Sequence, residues 1–221
     1  MKEIEKITIL TLANMTYYQY LLPLVKSVNC FFNEAKMEIY LVDFGGDKEL
    51  EEICSVNSNY NIHFVKSPKS IPIKCYCTNA RADLFYQHRR INDDILLWID
   101  ADSIILKSCD DLGKHLRSCE LTMRAKSLDR FAAGVIGIGY SDICHRMVDR
   151  YRYMVTKRYS EWMANQECLN VLYGEFKDIV EFKPLPKIYC DVWLSDEGVI
   201  WAAKADKKMD QKYVSAINSV K

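Results

Sequence analysis

DILLWIDADSIIL, residues 94–106, is the stretch that decides the fold. Ile95 to Ile99 form a short apolar run that stops at Asp100-Ala101-Asp102, and Ile104-Ile105-Leu106 forms a second. A run this short and apolar, bounded by charge, reads as a strand buried on both faces of a sheet. Two carboxylates one residue apart at its end are costly to hold as free anions. A divalent cation between them and a diphosphate beyond the sheet would make them tolerable, because Mg²⁺ or Mn²⁺ takes oxygen ligands and often completes its shell with substrate phosphate.

Outward from that strand, the pattern alternates strand and helix. KITILTL (6–12), MEIYLVDFGG (37–46, closed by a glycine pair) and NIHFVK (61–66) predict strands. Between them, Tyr17 to Phe32 and Lys48 to Ser55 predict helices. A Pro-marked loop leads to a helix over roughly 76–91, just before the opening strand. Further on, 110–119 and 141–157 predict helices, as does 159–173. LTMRAK (121–126), GVIGIGY (134–140) and GVIWAAK (198–204) predict strands, residues 179–191 an extended segment, and 205–221 a polar helical tail. This order predicts an α/β fold with a mostly parallel central sheet flanked by helices. In such sheets ligands bind beyond the carboxyl ends of the strands, where Asp100 and Asp102 fall.

The bulk properties agree with one domain. The chain has 221 residues, is 49% hydrophobic, and carries thirty basic and thirty acidic residues that cancel. The neutral balance argues against nucleic acid as the main partner. No apolar run approaches the roughly 20 residues of a membrane span, and the acidic N-terminus leading into a strand is not a signal peptide. A soluble cytoplasmic protein is the expectation. Nine scattered Cys fit free thiols better than a disulfide framework. Without a CxxC pair, a zinc site is not expected.

WIDADSII resembles the DxD segment of GT-A glycosyltransferases, which use nucleotide-sugar donors, and four further elements follow the family's order. CTNARADLF (77–85) stands where those enzymes carry an Arg-containing helix beside the nucleotide. RFAAGVIGI (130–138) resembles the FNAGV element of family 8-like members, and WMANQECLN (162–170) their DQ-(E/D)-x-LN helix beside the acceptor and the reacting carbon. GVIWAAKADKK (198–208) resembles the C-terminal IxHxxGxxK strand, whose Lys meets donor phosphate. Three positions depart from the pattern: Ala132 replaces Asn, Asn165 replaces Asp, and Ala202 or Ala203 stands where a metal-ligating His belongs. Asp191, Asp196 and Glu197 lie just before that strand and could substitute for it.

The resemblance implies a diverged, metal-dependent glycosyltransferase. It would move a sugar from a nucleoside-diphosphate donor, UDP-linked by the likeness, to a hydroxyl of a glycan or other acceptor. A nucleotide-binding half would span about 1–106 and an acceptor and catalytic half about 107–221. Asp100 and Asp102 would hold Mn²⁺ or Mg²⁺, the ion neutralising charge on the leaving diphosphate. Thr11, Ala13 and Asn14 would line the nucleoside loop, with Ala101 and Gly134 close to the donor. Arg81, at the start of a helix where anions gather, would contact the nucleotide. Asp83 would meet base or ribose, and Lys204 the β-phosphate as a point charge. Glu167 would act as general base or nucleophile, with Gln166 positioning the sugar. Tyr17, Tyr18 and Tyr20 read as helix packing rather than a base-stacking platform.

Two other functions bear weighing. IDADS superficially matches the nucleophile motif of haloacid-dehalogenase-like phosphatases, but there the Asp pair belongs on the first strand. A non-catalytic nucleotide-sugar or glycan-binding relative is motivated by the three departures.

Overall fold

The computed structural model describes residues 6–45, 47–127 and 130–220; Gly46, the second of the glycine pair, lies outside them. The apolar run of the opening stretch forms strand β4 (Ile95–Ile99), and all five of its residues are buried. Alternation sends its side chains to opposite faces of the sheet. Ile95, Leu97 and Ile99 enter one core and Leu96 and Trp98 the other.

Four strands run parallel: β1 (Ile7–Asn14), β2 (Lys36–Val42), β3 (Tyr60–Val65) and β4. With β6 (Leu121–Ser127) and β7 (Arg130–Ile138) they form a six-stranded sheet of order β3-β2-β1-β4-β7-β6. β7 is antiparallel to both neighbours, so the sheet is mostly parallel, as expected.

One face is covered by α1 (Met15–Phe31), through Leu21, Leu24, Val25 and Val28, and by α2 (Lys48–Val56) and α4 (Asp110–Leu116). The other is covered by α3 (Ile73–Arg89), α5 (Asp142–Thr156) and α6 (Ala164–Phe176), with Phe85, Met147, Tyr151 and Leu169 among the buried contacts. α6 starts later than the periodicity suggests. The backbone turns at Met163, with φ at 67°, and the carbonyls of Tyr159 and Glu161 accept from the Asn79 side-chain amide instead of continuing a helix.

The second apolar run does something the sequence did not indicate. Asp100 closes a turn, with the Ser103 amide donating to its carbonyl at 3.0 Å. The chain then leaves the large sheet as β5 (Ser103–Ile105) and pairs antiparallel with β8 (Ile200–Ala202) in a separate two-stranded sheet. Asp100-Ala101-Asp102 is therefore the link between two sheets. The 205–221 segment holds a 3₁₀ turn (Ala205–Met209) and α7 (Gln211–Ser219), which packs on this small sheet through Tyr213 and Ile217.

Candidate functional site

The link between the sheets brings distant residues together through register. Ser103 pairs with Ala202 in the antiparallel ladder, so the residues before Ser103 lie opposite those after Ala202. That places Lys204 against the carboxylate pair. Its Nζ lies 2.7 Å from Asp100 Oδ2 and 3.2 Å from Asp102 Oδ1. Ala205 follows in the left-handed region, φ 49°, and turns the chain so that Lys208 returns to the same place. Lys208 Nζ lies 2.8 Å from Asp102 Oδ2. Tyr213 Oη donates to the Asp102 carbonyl at 2.7 Å and fixes the backbone just after the second carboxylate.

The opposite side of the cluster comes from α3. Arg81 Nη2 donates to Asp100 Oδ1 at 2.6 Å, and Trp98 Nε1 donates to the same oxygen at 2.7 Å. The guanidinium lies over the Trp98 ring, 4.5 Å from its centroid, where charge and flat face attract. α3 begins at Ile73, so Arg81 sits midway along it rather than at its start. It reaches the carboxylate by its own side chain, and the helix's free amides lie elsewhere.

Burial by itself would raise the Asp100 carboxyl. The charges of Lys204 and Arg81 outweigh it and hold the group below its ordinary value. The Lys204 side chain is 45% exposed, and what water its ammonium gives up within the cluster is more than offset by Asp100 and Asp102, so that lysine stays charged. Gly134 completes the cluster. Its carbonyl accepts from the Asp100 amide at 2.9 Å, and a Cβ there would stand 3.4 Å from Asp100 Oδ2 and 3.8 Å from Lys204 Cε. Ala101 is buried between the two carboxylates.

The other expected residues are placed differently. Thr11 and Ala13 are buried in β1, and the Thr11 hydroxyl has no hydrogen-bond partner among the described residues. Asn14 caps α1 by accepting from the Tyr17 amide at 3.3 Å. Asp83 accepts from Arg152 Nε at 2.9 Å and lines a cleft of about 190 Å³ with Leu12, Tyr40, Val65, Tyr76 and Tyr159. Glu167 is exposed and paired with Arg158, beside Gln166 in the first turn of α6. That turn is anchored to α3, because the Asn165 amide donates to Asn79 Oδ1 at 3.0 Å, two residues before Arg81.

The expected divalent ion does not fit this donor set. All four carboxylate oxygens of Asp100 and Asp102 already accept from a cationic side chain. Among the described residues no three His, Cys, Asp or Glu side chains gather to hold a metal. Ala202 and Ala203, where the ligating His was sought, are fully buried. Of the substitutes, Asp191 accepts from the Trp193 and Ser195 amides and the Ser195 hydroxyl, so both its oxygens are engaged within its own loop. Asp196 pairs with Lys212, and Glu197 is exposed.

Five participants were missed from sequence: Trp98, Tyr213, Lys208, Tyr17 and Tyr20. Lys208 lay in what read as a polar tail. Tyr17 and Tyr20, read as packing, hold its ammonium over their rings, at 4.2 and 5.0 Å from the centroids. A signal was available in the spacing of the IxHxxGxxK element, whose Lys stands eight residues after its Ile: counted from Ile200, that position is Lys208, with Ala205 in left-handed backbone at the Gly position.

No protein-family model and no curated protein matches the sequence. Solved structures do match by fold. The chain is similar to the glycosyltransferase GlyE of Streptococcus pneumoniae TIGR4, at 17% identity over 97% of this chain and 63% of that one, with a TM-score of 0.65. It is similar to the galactosyltransferase LgtC, whose structure holds donor and acceptor sugar analogs, at 15% identity over 96% and 95% of the two chains, TM-score 0.61. It also matches the bifunctional glycosyltransferase WbbM, at 11% identity over 98% of this chain and 50% of that one, TM-score 0.62. This chain thus spans less than two thirds of GlyE and half of WbbM. The α/β architecture expected from the sequence is the one it has, and it shares that fold with these glycosyltransferases.

Proposed function

We propose that this protein is a glycosyltransferase that takes a sugar from a nucleoside-diphosphate donor, UDP-linked by the sequence resemblance, and passes it to a hydroxyl of a glycan or other acceptor. The observation that carries the reading is the convergence of Arg81, Lys204 and Lys208 on Asp100 and Asp102 at the carboxyl end of β4. That is where an open α/β sheet receives its ligand. A cluster of three cations and two carboxylates carries one net positive charge and attracts a diphosphate.

The residues divide the work. Lys204, with its side chain 45% exposed, can turn its ammonium to the β-phosphate and stabilise the charge that develops as the glycosidic bond to phosphate breaks. Arg81 and Trp98 hold Asp100 so that the ammonium approaches from a set direction. Gly134 leaves room for the donor beside them. Asp83, in its cleft between α3 and β1, β2 and β3, accepts from base or ribose. Glu167 takes the acceptor's proton, or attacks the anomeric carbon, once it leaves Arg158; Gln166 positions the sugar.

The test is incubation with a panel of nucleotide sugars, following release of nucleoside diphosphate. Turnover of one donor, lost in Asp102→Ala with the fold retained, is the expected result. Donor binding without hydrolysis or transfer would favour a non-catalytic relative. No binding across the panel would refute both.

A further inference from the structure

Resting on the reading of this cluster as a donor site, we propose that Lys204 and Lys208 together supply the positive charge opposite the donor diphosphate, so that the donor binds without a divalent ion.

The first argument is charge. Two carboxylates face three cations, and Asp102 alone is bracketed by two ammonium groups, at 3.2 Å on Oδ1 and 2.8 Å on Oδ2. A divalent ion entering between the carboxylates would have to displace both lysines or sit among three positive charges. Displacement would also expel Lys208 from a built position. Its side chain is only 15% exposed and lies over the Tyr17 and Tyr20 rings. Those contacts attract the ammonium in just the desolvated setting where they are strongest.

The second argument is ligand supply. A small divalent ion bound by one or two carboxylates needs those oxygens open. Here each accepts from a cation, and the described residues bring up no third metal-binding side chain. Two ammonium groups sharing one carboxylate repel each other, and a diphosphate oxygen placed between them relieves that repulsion. The arrangement therefore favours an incoming polyanion over an incoming cation.

The experiment is calorimetric titration of the intact chain with uridine, cytidine, guanosine, adenosine and thymidine diphosphates, once in excess EDTA and once in millimolar Mn²⁺. The expected result is that one of them binds with a dissociation constant within about threefold in the two conditions, a difference under 1 kcal/mol. Lys208→Gln should weaken that binding in EDTA about tenfold or more, as loss of a charge-assisted hydrogen bond does. Lys208→Arg, which keeps the charge and the aromatic contact, should restore most of it. Thermal melting of both variants shows whether Lys208→Gln is folded; if it is not, the EDTA-to-Mn²⁺ comparison on the unaltered chain decides alone. Binding that requires Mn²⁺, or immobilisation of Mn²⁺ alone by the free protein in spin-resonance titration, would overturn the lysine assignment and leave the donor-site reading standing. Failure of every diphosphate to bind in either condition would overturn the donor-site reading itself.

Discussion

Replacing Arg81 with Met tests the electrostatic frame of the site without relying on any activity. The Arg81 side chain is 5% exposed and Asp100 21%, and they meet at 2.6 Å. Removing one member of a buried ion pair costs about 3–5 kcal/mol, because the partner's charge stays behind. Asp100 keeps Lys204 at 2.7 Å and the Trp98 indole at 2.7 Å, and the Met chain fills most of the vacated volume. The cost should therefore fall at the low end, about 3 kcal/mol. For a domain of this size that lowers the melting temperature by about 6–12 °C.

The pH dependence adds a second, independent reading. Asp100 has a folded-state pKa below its unfolded value, so its contribution is present above the ordinary Asp pKa and is lost as pH falls through the lowered one. Without Arg81 that lowering shrinks. The deficit of the variant should then be full near neutral pH and should narrow below about pH 4. Thermal and urea unfolding across that range measure it. A variant melting within about 2 °C of the parent at neutral pH, or a deficit that does not narrow in acid, would refute the reasoning.

Three further outcomes follow from the same contacts. Gly137→Ala should destabilise by about 1–3 kcal/mol through overpacking, since its Cβ would lie 2.4 Å from Leu116 Cδ2 and 2.7 Å from Thr122 Cγ2; urea denaturation measures it. Asn79→Ala removes the bonds that tie the 159–161 turn and the Asn165 amide to α3. It should cost about 2–3 kcal/mol and speed hydrogen exchange at the Asn165 amide, whereas unchanged exchange there would show that α6 is held by packing alone. Burial would raise the Asp191 carboxyl, but hydrogen bonds from Ser195 and Trp193 outweigh it and hold it below its ordinary value. Its contribution is thus lost as pH falls, and Asp191→Asn should be less stable at neutral pH with a shallower acid limb in pH-dependent unfolding.

Local pattern made much of this protein legible. β3, half-exposed at the edge of the sheet, was read from its shorter apolar pattern, and runs of apolar residues mark β1, β2 and β4, because a strand buried on both faces is written mostly with apolar residues. Charge beside such a strand marked Asp100 and Asp102, and the lysine after the last apolar strand marked Lys204. Each of these signals sits within a few residues of the chain. Arg81 was found as well, although its position midway along α3 and its stacking on Trp98 were not.

What the tertiary structure decided is which charge meets which. Asp83 and Glu167 have equally plausible partners in sequence, and only packing sets Arg152 beside one and Arg158 beside the other. Lys208 is the clearest case. Residues 17, 20, 102 and 208 share no local pattern. They meet because α1 lies against the small sheet and the register of Ser103 on Ala202 turns the C-terminal segment back over the carboxylates. A period along the chain reports the face a residue presents to its own neighbours. It carries no information about a ladder closed across about a hundred residues, and here that ladder determines how the carboxylate pair is neutralised.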